Sequence, residues 1–259
     1  MTDTTSTRDH REHRPVGPPP PILYEQGPCL VIWKPPGILT QAPYGIDSLV
    51  VRLTDWLRRR NEHASDVYLG LPHRLDRPVS GAMCFALSRR AARRISEQFE
   101  TRLVTKVYWA CVEGTVTPEE GTWTDMLRKV HGEPRAEVVP ADHPDARPAI
   151  LHYRAIGQWS GGSLLEIELE TGRTHQIRVQ ASSRGHAVLG DAQYGSTSGF
   201  GTRYDDERLR PIALHSRLLE FRHPTTQVMV SVTAPLSSDW AALGLGELDI
   251  SHDLPCVMS

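Results

Sequence analysis

Cysteine is scarce in this sequence, and Cys29, Cys84, Cys111 and Cys256 stand apart with no CxxC pair among them. A disulfide framework and a thiolate zinc site both need closely spaced cysteines, so neither is expected. The 12 histidines are scattered and include no HxxxH pair, so no structural or catalytic metal is expected either. No apolar run approaches the roughly 20 residues that a membrane helix requires. The opening segment MTDTTSTRDHREHRPVGPPPP lacks the apolar stretch of a secretory signal, and Asp3, Asp9 and Glu12 argue against an amphipathic transit peptide. A soluble, cytoplasmic protein without cofactor is the resulting expectation. An overall excess of positive charge is also missing, since the net charge is -2.

What is present is unevenly placed. Hydrophobic residues make up 39% and charged residues 23%, the mixture of an ordinary globular chain, and 259 residues suffice for a sizeable core. Between Leu71 and Ala110 there are eight basic residues against three acidic ones, and Thr171 to Gly190 holds Arg173, Arg178 and Arg184 with no acid. Such local basic surfaces bind phosphates even on a near-neutral protein. For Arg89 to Arg94 a merely solvated helix face is the competing reading.

The pattern of apolar residues predicts an α+β fold, a single domain around a central, mostly antiparallel mixed sheet flanked by helices and loops. Residues 1–21 end in four prolines and read as a disordered, extended tail. Residues 22–240 form the domain and 241–259 a C-terminal extension, and in the tail from Ser237 to Ser259 the residues Trp240, Leu243 and Leu245 among acids suggest a short packing helix. Strands are expected at Cys29 to Trp33, Gly81 to Leu87, Thr105 to Gly114, Ser163 to Glu170, Leu214 to Phe221 and Val228 to Ala234. Ser163 to Glu170 alternates strictly, with Leu165, Ile167 and Leu169 on one side and three glutamates on the other. Helices are expected over Ser48 to Arg60 and after Ser88, the latter with a stripe of Ala91, Ile95, Phe99 and Leu103. A short helical stretch should follow around His175 to Ser183, while Thr115 to about Ile150 reads only as a polar connection.

Two polar clusters carry chemistry. His73-Arg74-Leu75-Asp76-Arg77 sets one carboxylate among cations on a proline-bounded loop, where a bracing salt bridge competes with a site built for a polyanion. Gly172 to Arg178 follows a strand and opens a helix, a place where backbone N–H groups are free for anions.

These residues resemble a known family. HRLDRPVSG (His73 to Gly81) is similar to the HRLDxxTSG signature of RluA-type RNA pseudouridine synthases. TGRTHQIRV (Thr171 to Val179) with GHAVLGDAQYG (Gly185 to Gly195) is similar to the second signature. WKPPGILTQ, KVYWACVEG and LHSRLLEFRHP follow the family's remaining landmarks in order, so the resemblance covers about residues 28–236. It implies that Asp76 is the essential aspartate, attacking C1′ or deprotonating C2′ of the ribose while the glycosidic bond breaks. It implies that Arg178 pairs with that carboxylate and that Tyr108 packs on the uracil and helps remove the C5 proton. Arg74 would fill the gap left by the flipped nucleotide, and Ile177 and Leu214 would line the base pocket. His73, Arg77, Arg173, His175 and Gln176 complete the candidate substrate- and RNA-binding set.

The implied partner is RNA, with ribosomal and transfer RNA both open, and a monomer is the default. The isomerisation needs no redox change, group donor or metal, only an unstacked base and an anion near a developing positive charge at the anomeric carbon. Two other readings carry over: an RNA-binding or chaperone module of the same fold without catalysis, and a nucleosidase that releases uracil. Val79, Gln180 and Ala187 stand where the family usually has Thr, His and Pro, which bears on substrate positioning. Only about 27 residues precede the first landmark, too few for the small N-terminal RNA-binding domain of many relatives, so RNA affinity is expected from the catalytic domain's own surface.

Overall fold

A computed structural model describes residues 17–61 and 67–245. Its strands are β1 (Ile22–Gln26), β2 (Cys29–Lys34), β3 (Ser80–Ala86), β4 (Thr105–Glu113), β5 (Glu120–Lys129), β6 (Ala136–Val138), β7 (Arg147–Trp159), β8 (Gly162–Leu169), β9 (Leu214–Arg222) and β10 (Met229–Thr233). They form one sheet in the order β1-β2-β3-β9-β4-β8-β7-β5-β6, with β10 also paired to β9. Every strand pair is antiparallel except β3 with β9. This is the mixed, mostly antiparallel α+β fold that the apolar pattern anticipates. No described helix is long and apolar enough to cross a membrane.

The helices begin where side-chain caps allow. Ser48 accepts from the Val51 N–H ahead of α1 (Leu49–Arg60), and Ser88 accepts from the Ala91 N–H ahead of α2 (Arg89–Glu100). In α1, Leu49, Leu53 and Leu57 face the core at helical spacing. The stripe of α2 ends one step sooner than its sequence suggests: Ala91 and Ile95 are buried, but Leu103 is 66% exposed. The helix stops at Glu100, and Arg102 turns the chain with φ 59, which rotates Leu103 away from the core. Two further helices are short, α3 (Gln176–Ser182) and α4 (Ser238–Ala241).

Three strands have no clear alternating signal. In β5 only Trp123 and Leu127 are buried, and β1 is a half-exposed edge. In β7 only the short run Ala149, Leu151 and Tyr153 points inward, flanked by Pro148 before it and a bulge between Ala155 and Gly157 after it. Around these ends, Pro20 is buried and the Pro21 carbonyl accepts from the Trp33 N–H at 2.8 Å, so residues 17–21 of the expected tail lie against the sheet. At the other end Trp240 is fully buried and packs with Leu245 on Cys111, Leu164 and Leu189. The rest of the expected tail and extension, 1–16 and 246–259, lies outside the described residues.

The parallel seam sits at the middle of the sheet, and two motif residues make it possible. Ser80 faces His215 and Gly81 faces Ser216 across it. Gly81 has φ 118, and a Cβ there would lie 2.3 Å from the Ser216 carbonyl oxygen, so no side chain fits. His215 is fully buried, and burial lowers its pKa to about 4. Its Nε2 is 3.2 Å from the Ala234 carbonyl, which can only accept. The proton is therefore on Nε2, and Nδ1 accepts from the Ser80 hydroxyl at 2.8 Å.

The loop carrying Asp76 is laced to the turn after β2 through its carbonyls. Leu75 O accepts from the Thr40 hydroxyl at 2.8 Å and Arg77 O accepts from the Gly37 N–H at 2.8 Å, while within the loop Asp76 O accepts from the Val79 N–H at 3.2 Å. Lys34 completes the lacing. Its side chain is fully buried, and its ammonium donates to Pro35 O at 3.0 Å, Arg77 O at 3.0 Å and Val79 O at 2.8 Å. Burial draws its pKa down to about 7, against the pull of Asp76.

Two outcomes are expected. Gly81→Ala should destabilise the fold by roughly 2 kcal/mol or more, from left-handed strain together with the clash on Ser216; an unshifted denaturant midpoint would show that the seam tolerates a side chain. Lys34→Met should cost about 3 kcal/mol, because it strands buried carbonyls. It should also speed amide exchange at residues 76–79, whereas unchanged exchange there would mean that the ammonium does not hold the loop.

Candidate active site

A cleft of about 460 Å³ opens between the loop around Asp76, the first half of β4 and the segment that runs from the end of β8 into α3. The walls are apolar at depth. Ile177 and Leu214 are almost wholly buried, and Val79, in the place of the usual threonine, adds a buried methyl surface. Tyr108 presents its ring from β4. Burial pushes its hydroxyl pKa well above the usual value, the Asp76 charge adds to this, and a hydrogen bond with Ser216 acts in the opposite direction.

Asp76 is partly exposed to the cleft, its side chain at 30%. Arg178, at 4%, approaches Asp76 Oδ2 through Nη1 at 3.3 Å. That contact is the weaker of two. Asp191 takes the same guanidinium from behind in a two-pronged pair, Nε to Oδ2 at 2.6 Å and Nη2 to Oδ1 at 2.8 Å, and Gln193 Oε1 accepts from Nη2 at 2.9 Å. Burial alone would lower the Arg178 pKa, but the Asp191 hydrogen bonds and charge, with the Asp76 charge, outweigh it and raise it. Arg178 is thus fixed in direction by Asp191, and Asp76 meets it through a single long contact.

His175 sits at the entrance to α3 with φ 52, a left-handed conformation that costs a residue with a side chain about 1–3 kcal/mol. Its Nε2 lies 3.6 Å from Asp76 Oδ2, and its Nδ1 is 2.8 Å from the Tyr194 hydroxyl. Tyr194 also lies under the Arg178 guanidinium, 4.8 Å from ring centroid to Cζ. Burial lowers the His175 pKa despite the attraction of Asp76, so the imidazole is neutral near pH 7.

The remaining expected site residues divide. His73 forms part of the wall but is spent on structure: its Nε2 accepts from the Cys84 N–H at 2.9 Å, and its ring stacks on Phe99 at 4.5 Å. Burial takes its pKa down to about 3, with Lys106 adding to the effect. Gln176 also reaches the wall, and its amide closes the loop by accepting from Thr171 Oγ1 and the Arg173 N–H and donating to Ile150 O. Arg74 and Arg173 are exposed at the rim, Arg173 steadied by donation to Pro148 O at 2.9 Å. Arg77 is not in the lining. Its Nε donates to Gly37 O at 2.8 Å, so it braces the loop from outside the cleft.

Asp191, Tyr194 and Lys34 were not singled out from the sequence. The first two lie inside the GDAQYG run, but a carboxylate that anchors an arginine 13 residues earlier becomes visible only when α3 folds back on that turn. Gln180 and Ala187, the other departures from the family pattern, do not line the cleft. Gln180 is a buried residue of α3, donating to Trp123 O and Asp125 Oδ2. On α2, Arg90 and Arg93 are exposed, while Arg94 donates to Pro224 O at 2.5 Å and Arg89 lies over the Tyr68 ring. Among the described residues no three His, Cys, Asp or Glu side chains gather as a metal site.

With this geometry in place, comparison with known proteins gives a consistent result. A family model for RNA pseudouridylate synthase matches residues 28–183. An uncharacterized RNA pseudouridine synthase of Chloroflexus aurantiacus is 38% identical over 170 residues, 66% of this chain and 51% of that protein, so the chain spans about half its length. Ribosomal large subunit pseudouridine synthase D of Pasteurella multocida is 31% identical over 241 residues, 91% of this chain and 73% of that one. Among solved structures, human RNA pseudouridylate synthase domain containing 4 shares the fold with a TM-score of 0.70 at 22% identity, covering 86% of this chain and 91% of its own. Human RNA pseudouridylate synthase domain containing 1 gives a TM-score of 0.64 at 27% identity, covering 83% of each chain. The ordered motifs, the shared fold and a family match over more than half of the residues lead to one assignment: the chain belongs to the RNA pseudouridylate synthase family, in its RluA branch.

Proposed function

We propose that this chain isomerises uridine to pseudouridine in RNA, with Asp76 as the catalytic carboxylate acting on a nucleotide flipped out of its stack. The observation that carries the reading is the Asp76 carboxylate, 3.3 Å from a guanidinium held by Asp191, in a cleft whose inner wall is Tyr108, Ile177 and Leu214. An anion beside the anomeric carbon stabilises the positive charge that develops as the N1–C1′ bond breaks. The aromatic and aliphatic wall then keeps the freed uracil in place, so C5 can bond to C1′. One proton leaves C5 and one is gained at N1, so the isomerisation is proton-neutral overall. Tyr108 stays a protonated phenol at neutral pH, so its part is a flat face and a hydrogen bond rather than a ready phenolate. Ribosomal RNA is favoured as substrate by the relatives named for the large ribosomal subunit.

Unstacking the target costs a few kcal/mol. Arg74, exposed at the rim, is suited to occupy the vacated place, and Arg173 to meet the backbone. Arg77, which faces Gly37, is left to hold the loop.

Asp76→Asn should lower pseudouridine formation by about 10³-fold or more, as loss of a key charge-stabilising group does, while RNA affinity persists. Nucleoside chromatography of digested RNA and a filter-binding titration measure the two. Product made at a normal rate by the variant would remove Asp76 from the chemistry, and a wild-type protein that binds RNA but forms no product would favour the module without catalysis. Free uracil in solution would instead indicate a nucleosidase. Asp191→Asn should reduce kcat about 10²-fold by letting the guanidinium drift, with the fold retained by circular dichroism; a kcat equal to wild type would show that Asp191 does not position Arg178.

A further inference from the structure

The cleft holds one cation that neither the motif roles nor the described ion pairs use. Lys106 lies on β4 two residues before Tyr108, and both side chains line the same cleft. Two residues of strand span roughly 6–7 Å, comparable with the reach from base to phosphate within a nucleotide. Lys106 is largely withdrawn from solvent, yet among the described residues it has no hydrogen-bond or ion-pair partner. Glu170, a carboxylate of the same lining, is taken by Arg102 at 2.7 Å and faces His152 at 3.7 Å. Glu100, also in the lining, is exposed and makes no contact with Lys106. Burial and the neighbouring Arg102 charge lower the Lys106 pKa, as expected of an ammonium without a counter-ion.

Gly172 supports the point from the opposite side. It does not occupy the left-handed region, so its backbone does not demand glycine, and a Cβ there would meet only the Lys106 ammonium, at 3.7 Å. The missing side chain keeps the ammonium open to the cleft mouth. A half-buried, unpaired cation is costly on its own. Its cost is offset when an anion arrives, and the anion an RNA strand brings to this place is a phosphodiester.

Resting on the reading of the cleft as a uridine site, we infer that Lys106 is a positioning residue that grips a phosphodiester flanking the flipped nucleotide. It sets the depth to which the uridine enters between Tyr108 and Asp76. Arg74 and Arg173 lie at the rim and meet the strand outside, whereas Lys106 engages only a nucleotide already inserted.

The test uses the full chain and a uridine-containing stem–loop transcribed from large-subunit ribosomal RNA, the shortest that wild type converts. Lys106→Met keeps the stem that packs in the wall and removes the charge. It should lower kcat/KM about 10- to 100-fold, the weight of a hydrogen bond to a charged group, and reduce the slope of log kcat/KM against log salt by about one. Lys106→Arg should restore most of the loss. In the wild type, a methylphosphonate replacing the phosphate on either the 5′ or the 3′ side of the target should cost a similar factor on one side only. On that substrate Lys106→Met should add no further loss. Penalties that multiply, or a wild type indifferent to both neutral linkages, would overturn the assignment of Lys106. That result leaves the uridine reading intact, since wild type still makes pseudouridine on the unmodified loop. A wild type that converts no such loop overturns both. The neutral-linkage arm reads wild type alone, so it decides even if Lys106→Met fails to fold.

Discussion

The Arg178 guanidinium faces two carboxylates with a single positive charge, and the rest of the site follows from how it is shared. Asp191 holds two of its nitrogens at 2.6 and 2.8 Å and is itself almost wholly buried. Asp76 receives one contact at 3.3 Å from the side open to the cleft. A buried ion pair stabilises a fold weakly, because desolvation cancels most of the attraction, but removing one partner leaves an uncompensated charge that the interior tolerates badly. The pair therefore works as a fixed direction more than as a source of stability. It keeps a cation aimed at Asp76 without binding that carboxylate so firmly that its oxygens are unavailable.

Fixing the cation would mean little if the aspartate could move. Asp76 sits on a loop, where backbone freedom is usually highest, and the lacing through Thr40, Lys34 and Gly37 removes that freedom on both sides of it. Next to this loop the parallel seam of β3 and β9 leaves no room for a side chain at Gly81 and buries a neutral His215 between Ser80 and Ala234. The residues that frame the carboxylate in the sequence thus have separate tasks. His73 and Arg77 hold the loop, Asp76 and Arg74 face the cleft, and Ser80 with Gly81 joins the loop to the sheet centre.

This division explains what could be read in advance. The helices capped by Ser48 and Ser88 and the strands at β2, β3, β4, β8 and β9 carry strong local patterns, because the helices bury an apolar stripe and the strands bury many of their side chains, β2 and β3 on both faces. The strands β5 and β7 bury few side chains and pair chiefly through their backbones, so composition said little about them. At the site, Asp76, Tyr108 and Arg178 were legible through motifs that recur in order. Asp191 and Tyr194 were not, since their roles consist of contacts across a turn. Arg77 shows the opposite failure: a cation beside the carboxylate in sequence is turned away from it by a loop that folds back on Gly37.

The arrangement also bears on why such a cleft would return the base to the sugar rather than release it. A hydrolase needs water on one face of the sugar and a second carboxyl group to activate it or to protonate the leaving group. Here two of the carboxylates around the cleft are committed elsewhere, Asp191 to Arg178 and Glu170 to Arg102, and a third, Glu100, is exposed to solvent. The apolar wall beside Asp76 is Ile177, Val79 and Leu214 with the Tyr108 ring, whose hydroxyl is already shared with Ser216, and the other polar groups there, Arg178 and His175, face the Asp76 carboxylate itself. Apart from Arg178, the cations Arg74, Arg173 and Lys106 line the cleft away from the Asp76–Arg178 contact. An apolar interior inside a cationic mouth would hold the base and the backbone at different depths, so under the proposed mechanism a uracil freed from C1′ would have more to gain by turning in place than by leaving.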